Sequence, residues 1–176
     1  EGGSKTPLFL IHPVGGNVFY YIPLVKSLAN DRPVYAIQDP GIRGRETLFE
    51  SLNDMASFYI KVIKKYQPKG PYLIAGSSFG ANAAVEIARQ LIEQGDALAF
   101  IGLIDGWAKY PKEANDNREW FCQNLINQLK TLDQHFSREG IPDLLLDLHW
   151  HRQQLLVRHI LPNMSDIQLT LFKAKQ

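Results

Sequence analysis

The segment YLIAGSSFGANAAVEIARQL, residues 72–91, constrains the fold more than any other. An apolar run (72–77) passes through a turn of small residues straight into an amphipathic, helix-forming stretch. Three further apolar runs, PLFLIH (7–12), RPVYAIQ (32–38) and ALAFIGLID (97–105), alternate with helical patterns in the same way. That alternation is the signature of a parallel sheet covered by helices on both faces. Within the runs the apolar residues follow one another rather than alternating, so the strands are expected to be buried on both sides.

The intervening helices are expected over NVFYYIPLVKSLAN (17–30), with Pro23 near its start, over SLNDMASFYIKVIKKY (51–66) and over 79–94. In the second, Leu52, Met55, Phe58 or Tyr59, Val62 and Tyr66 recur at helical spacing and would face the sheet. Gly95 supplies the stop for the third. From Trp107 the grammar changes: residues 107–168 hold no convincing strand, and REWFCQNLINQLKTLDQHF and LLLDLHWHRQQLLVRHI read as two helices separated by the breaker REGIPD. A mainly helical insertion between sheet strands is expected to act as a cap. LTLFKAKQ (169–176) returns to strand character.

With 176 residues, 45% of them hydrophobic, the chain is sized for a single domain over residues 7–176, residues 1–6 reading as a linker or an expression remnant. Nineteen Lys and Arg stand against 18 Asp and Glu, so no strong field marks a nucleic-acid or acidic-membrane partner. No apolar run approaches the roughly 20 residues that a membrane span needs. The lone Cys122 cannot pair within the chain; it fits a reducing, cytoplasmic setting and reads as a small buried residue in a helix, with no neighbouring histidine to activate it.

Gly76, Ser77, Ser78, Phe79 and Gly80 spell G-x-S-x-G between strand and helix. In a nucleophile elbow the central serine occupies a strained turn, and the residues two before and two after it must be small because the strand and helix backbones crowd there. Ser78 is thus the candidate nucleophile, and Ser77 a small neighbour. A Walker loop is excluded, since no Lys-Ser or Lys-Thr pair follows, and the dinucleotide G-x-G-x-x-G spacing is absent.

A second glycine loop, IHPVGGN (11–17), follows the first strand, where its amides can stabilise an oxyanion. Val14 NH and Phe79 NH are the two candidate donors; Pro13 has none to give. His12 lies beside this loop and is expected to pack or hydrogen-bond rather than act as a base. Asp105 ends its strand at the same carboxyl edge as Ser78, the edge where open sheets bind ligands, and is the candidate acid that would hold a histidine ring.

On these residues the chain resembles the thioesterase domains of nonribosomal peptide and polyketide synthetases, members of the α/β-hydrolase superfamily. The resemblance runs through PLFLIHPVGGNVFYYIPLVKSL, RPVYAIQDPGIRG, the segment 51–91 and IGLIDGW. It implies a mostly parallel sheet with a helical lid over about 107–168. It also implies an acyl-Ser78 intermediate loaded from the phosphopantetheine arm of an acyl or peptidyl carrier protein, with Asp105 as the triad acid and no cofactor of the domain's own. In the resembling domains another helix and strand follow the strand matched by LTLFKAKQ and lead to the catalytic histidine, so the general base is expected to be absent from this chain and its turnover impaired. His135, His149, His151 and His159 all fall in the lid helices; His149 and His151, two apart, share no helix face and make no metal site. Lid aromatics Trp107, Tyr110, Trp120 and Phe121 either line an acyl channel or build the lid's core. Two other readings stay open on the sequence: a free-standing esterase or lipase, and a non-catalytic module that binds a carrier protein or an acyl chain.

Overall fold

The computed structural model describes residues 3–28, 31–43, 49–106, 117–132, 142–160 and 168–173. Five strands, β1 (Leu8–Ile11), β2 (Val34–Ile37), β3 (Tyr72–Ser77), β4 (Leu98–Ile104) and β5 (Thr170–Phe172), form one sheet in the order β2-β1-β3-β4-β5. Every pairing is parallel. The chain steps outward from β1 to β2 and then crosses back to β3 on the other side, which makes the carboxyl ends of β1 and β3 a topological switch point. Crevices at such points are where open α/β sheets bind ligands.

Helices α2 (Leu52–Tyr66) and α3 (Phe79–Glu93) cover one face. Between them and the sheet lies the main core, with Phe9, Ile11, Met55, Tyr59, Ile63, Ile74, Phe79 and Ile87 at its centre. The N-terminus of α2 is fixed by Ser51, whose hydroxyl accepts the Asp54 amide. Its buried stripe is Leu52, Met55, Ala56, Tyr59, Ile60 and Ile63. Of the expected alternatives Phe58 and Tyr59 it is Tyr59 that points inward, while the exposed Tyr66 and the half-buried Val62 correct the rest of the expected stripe. A helix wedged between a sheet and α3 needs a broader apolar face than a single i, i+3, i+4 line. Gly95 ends α3 with φ +80°.

The opposite face carries a thinner layer of Leu10, Tyr21 and Ala75 with Val18, Leu24, Phe100 and Ile104 around them. Here the long helix expected over 17–30 is reduced to a 3-10 turn (Phe19–Tyr21) and a six-residue helix, α1 (Ile22–Ser27), with Pro23 in its first turn. Tyr21 is the side chain that reaches inward, and Phe19 and Tyr20 stay in solvent.

Two more helices, α4 (Arg118–Leu132) and α5 (Asp143–Arg158), occupy the stretch expected to be helical. They share a small core of Phe121, Cys122, Ile126 and Leu146 with Trp150 beside it, so Cys122 and Phe121 are packing residues, whereas Trp120 is exposed. Trp107 and Tyr110 lie outside the described residues, as does His135. Leu155 and Leu156 of α5 join the main core, which docks this helix onto the body of the fold. Burial on both faces holds for β1 and β3 but only in part for β2 and β4, and the three residues of β5 are all exposed. Among the described residues no helix is long and apolar enough to cross a membrane.

Candidate active site

Ser78 sits between β3 and α3 with φ 52° and ψ −120°, a conformation that a non-glycine residue holds only at a cost of about 1–3 kcal/mol. The crossing of two backbones enforces it. A carbon added to Gly76 would lie 2.0 Å from the Gly80 carbonyl oxygen, and one added to Gly80 would lie 2.3 Å from the Ile11 oxygen. The elbow is therefore closed by backbone on both sides, against β1 as well as within itself. The Ser78 amide donates to Ile104 O at 2.9 Å, and Ser78 O accepts the Ala81 amide, so the turn is also tied to β4 and to the first turn of α3.

Ser77 is buried, and its amide donates to Tyr21 Oη at 2.8 Å, while that hydroxyl donates to Ile11 O. Burial, opposed by the Ser77 hydrogen bond, pushes the Tyr21 phenol above its ordinary range and keeps it a donor. One phenol thus clamps the end of β1 to the residue preceding the candidate nucleophile. Tyr21→Phe leaves a buried amide and a buried carbonyl without partners, and is expected to lower stability by about 1–3 kcal/mol, measured as a shifted urea midpoint at unchanged slope.

The loop after β1 is a tight turn in which the Gly16 amide donates to Pro13 O at 2.8 Å and Gly16 O accepts the Asp39 amide at 2.9 Å. Among the described residues, neither the Val14 nor the Phe79 amide donates to a backbone carbonyl outside helix and strand ladders. Phe79, the first residue of α3, has no intrahelical acceptor for its amide. The two candidate donors are held together from beneath by His12, whose ring stacks on Phe79 at a centroid distance of 5.7 Å and meets Tyr59 edge-on.

His12 is fully buried. Its Nδ1 lies 2.7 Å from Pro13 O, which can only accept, so Nδ1 carries the proton; Nε2 then accepts from Tyr59 Oη, also at 2.7 Å. Desolvation, assisted by the Arg152 charge and opposed by the Pro13 carbonyl and Asp39, lowers its pKa to about 4. It is a neutral structural histidine, as its place beside the loop suggested.

Asp105 leaves β4 with φ 50°, its side chain exposed and its amide donating to Phe172 O at 2.8 Å. Ser77 and Ile104 are register partners, so Ser78 and Asp105 emerge side by side from neighbouring strands, which lie about 4.8 Å apart in any sheet. The structure thus brings Ser78, Phe79, Asp105 and the Val14 loop to one edge. The described histidines are engaged elsewhere. His151 Nε2 donates to Phe49 O, and His149 Nδ1 to Leu145 O. His159 Nε2 lies 3.3 Å from Glu86 Oε2, two turns along α3 and about 12 Å from the elbow. Burial drives the Glu86 carboxyl upward, but the nearby His159 ring and hydrogen bonds from Arg89 and Gln90 outweigh it and hold its pKa at about 2. No group of three or more His, Cys, Asp or Glu among the described residues is arranged to hold a metal.

Sequence reasoning missed Tyr21, Asp39 and Arg152. Arg152 is buried, its Nε donating to Asp39 Oδ2 at 2.6 Å and its Nη1 to Val14 O at 2.9 Å. A signal existed: Leu148, Arg152, Leu155 and Leu156 fall on one helical stripe, and a cation inside such a stripe needs a buried partner.

Strand order, switch point and elbow place the chain among proteins with an α/β-hydrolase-like fold. The Thioesterase domain family matches residues 6–171, and the chain belongs to that family. The nonribosomal peptide synthetase btyA of Aspergillus terreus (strain NIH 2624 / FGSC A1156) is 44% identical over 160 residues, covering 90% of this chain. The chain spans only 17% of that synthetase's length. Among solved structures, a four-domain nonribosomal peptide synthetase bound to AMP and glycine superposes with a TM-score of 0.82 at 27% identity, over 99% of this chain and 16% of the other. A covalent complex of the NocB thioesterase domain with a fluorophosphonate nocardicin G analog superposes with a TM-score of 0.74 at 26% identity, over 91% of this chain and 69% of that one.

Proposed function

We propose that this domain releases an acyl, peptidyl or polyketide chain from the phosphopantetheine arm of a carrier protein in the cytoplasm, through an ester on Ser78. The observation that carries the reading is the strained Ser78 φ of 52° between two glycines whose backbones cross at the sheet's carboxyl edge, the turn in which a nucleophile elbow presents its hydroxyl. Ser78 Oγ attacks the thioester carbonyl carbon and its proton passes to a base. The resulting oxyanion is met by the Val14 and Phe79 amides. Collapse breaks the carbon–sulfur bond, and the departing thiolate takes up the proton. Water or an internal nucleophile of the chain then attacks the ester and frees Ser78. Asp105 is the acid that orients the base. The substrate arrives on the carrier's own phosphopantetheine, so the domain needs no cofactor of its own.

The described histidines are engaged in structural contacts, which supports slow turnover by residues 1–176, a serine without a base being a weak nucleophile. The same observation favours a second reading, a carrier-binding or acyl-binding module without catalysis. Mass spectrometry after incubation with an acyl-pantetheine thioester separates them. Slow acylation of the Ser78 peptide, hastened by added imidazole and abolished in Ser78→Ala, is the expected result. Carrier binding that Ser78→Ala leaves unchanged, with no acyl-serine at any time, would establish the second reading.

A further inference from the structure

Arg152 reaches the loop after β1 from 138 residues away. Its side chain is 1% exposed, and its three nitrogens are spent unequally. Nε is on Asp39 Oδ2, Nη1 is on Val14 O, and Nη2 is buried without a partner. Nη2 lies only 2.5 Å from where a side-chain carbon on Gly16 would stand, so that glycine makes room for the guanidinium. A buried N–H left unpaired is costly, and it is tolerated here because the planar fork is aimed by its other two bonds. Asp39 is itself fixed to the loop: its amide donates to Gly16 O, and its Oδ1 accepts the Gly41 amide. His149, one turn before Arg152, brings its Nε2 to the face of Gly15, so the α5 surface lies directly against the loop.

In a planar trans peptide the carbonyl and the following amide point in opposite directions. Pro13 O is held inward by His12 Nδ1 and by the Gly16 amide, so the Val14 amide is turned away from the interior. Val14 O is held inward by Arg152, so the Gly15 amide is turned outward as well. Two successive amides facing out of one turn make an anion-binding concavity.

We infer that Arg152 is a positioning residue for the oxyanion loop: with His12 holding Pro13 O, it pins Val14 O and so fixes the turn that presents the Val14 amide beside that of Phe79, and it makes that geometry depend on the seating of α5. The inference rests on the acyl-Ser78 reading. The hydrogen bonds of Arg152 go to Asp39 and to Val14 O and none goes to Ser78, so it acts through the loop.

The test compares wild type, R152K, R152M and the charge-free pair D39N/R152M, in which the introduced carboxamide keeps an acceptor for the Gly41 amide. R152M leaves Asp39 buried and unpaired and should be the least stable; D39N/R152M removes both charges and should regain most of the lost thermal midpoint. Single-turnover acylation of Ser78 by the acyl-pantetheine thioester, with imidazole present, should nevertheless stay about tenfold to hundredfold below wild type in the pair, less than the roughly hundredfold to thousandfold loss from deleting an oxyanion donor outright, with half-saturation unchanged. R152K keeps the ion pair but not the fork and should fall between. Amide NMR supplies an arm independent of activity: the Val14 and Gly15 cross-peaks should move in D39N/R152M while those of β3 hold. If the pair regains the acylation rate together with its stability, or if the loop amides do not move, Arg152 is a structural ion-pair partner only. If wild type forms no acyl-Ser78, the functional reading fails, and the amide arm still decides whether Arg152 sets the loop.

Discussion

Gly76→Ala is expected to leave no folded protein. The added methyl would stand 2.0 Å from Gly80 O and 2.2 Å from its carbonyl carbon. Neither neighbour is the end of a side chain that could swing aside; both belong to the first turn of α3, and Gly80 is in turn pressed on the Ile11 and His12 carbonyls. Relief requires the helix to lift from β3 and β1 together, which opens the main core at Phe79. Overpacking of an ordinary core costs about 1–3 kcal/mol. A backbone collision with nowhere to relax belongs with the exceptional losses above about 4 kcal/mol, against a typical total stability of about 5–15. Gly95→Ala is the control. Its φ of +80° imposes only the left-handed penalty of about 1–2 kcal/mol, and nothing lies within 4 Å of the new carbon. Urea denaturation followed by circular dichroism checks both; a Gly76→Ala protein with a midpoint near wild type would show that the elbow yields where its backbone contacts say it cannot.

The elbow was legible because its constraint is local. Strand, two glycines and a serine lie within five residues, and the steric demand between Gly76 and Gly80 acts at a separation of four. Gly95 as a stop, Cys122 as a packing residue and the parallel order of the strands were readable for the same reason: each follows from periodicity or from one residue's backbone chemistry. The layer beneath the site was not. Tyr21 meets Ser77 across 56 residues, and Arg152 meets Asp39 across 113. Pattern reasoning saw Tyr21 as one more apolar residue in a helix and Arg152 as one more polar residue in a lid. The stripe of α2 stays open between Phe58 and Tyr59 on the sequence, and Tyr59 takes the inward place because it gives its hydroxyl to His12, a contact 47 residues distant. Either aromatic ring would fill the place, and the partner for the Tyr59 hydroxyl decides between them. The expectation of two-sided burial holds less well for β2 and β4 for a related reason: apolar composition shows what a strand can bury, not whether anything among the described residues covers it.

The same buried layer gives the domain a pH-dependent stability that a surface histidine would not. His12 has an ordinary pKa of 6.5 in the unfolded chain and about 4 in the fold, because the folded interior desolvates it and Arg152 repels its charge more than Pro13 O and Asp39 favour it. The folded pKa lies below the unfolded one, so the unfolded state binds the proton first. Stability from the neutral ring is complete above about pH 6.5, declines as the pH falls, and is lost by about pH 4. A shift of that size corresponds to about 3 kcal/mol, with a slope of up to about 1.4 kcal/mol per pH unit inside the window. His149 is also lowered by burial and adds a contribution of the same sign. Glu86 acts lower down: its carboxyl, held at about 2, gives stability that disappears as the pH falls from about 4.5, so the interval between pH 6.5 and 4.5 belongs to the histidines. His12→Asn keeps a donor for Pro13 O and removes the titrating ring. Its stability at pH 7 should be lower than wild type, and the difference should shrink steadily as both proteins are denatured in urea at successively lower pH down to 4.5. Parallel stability curves for the two proteins would mean that His12 titrates alike in the folded and unfolded chains, and that it is not the neutral link between Tyr59 and the Val14 loop.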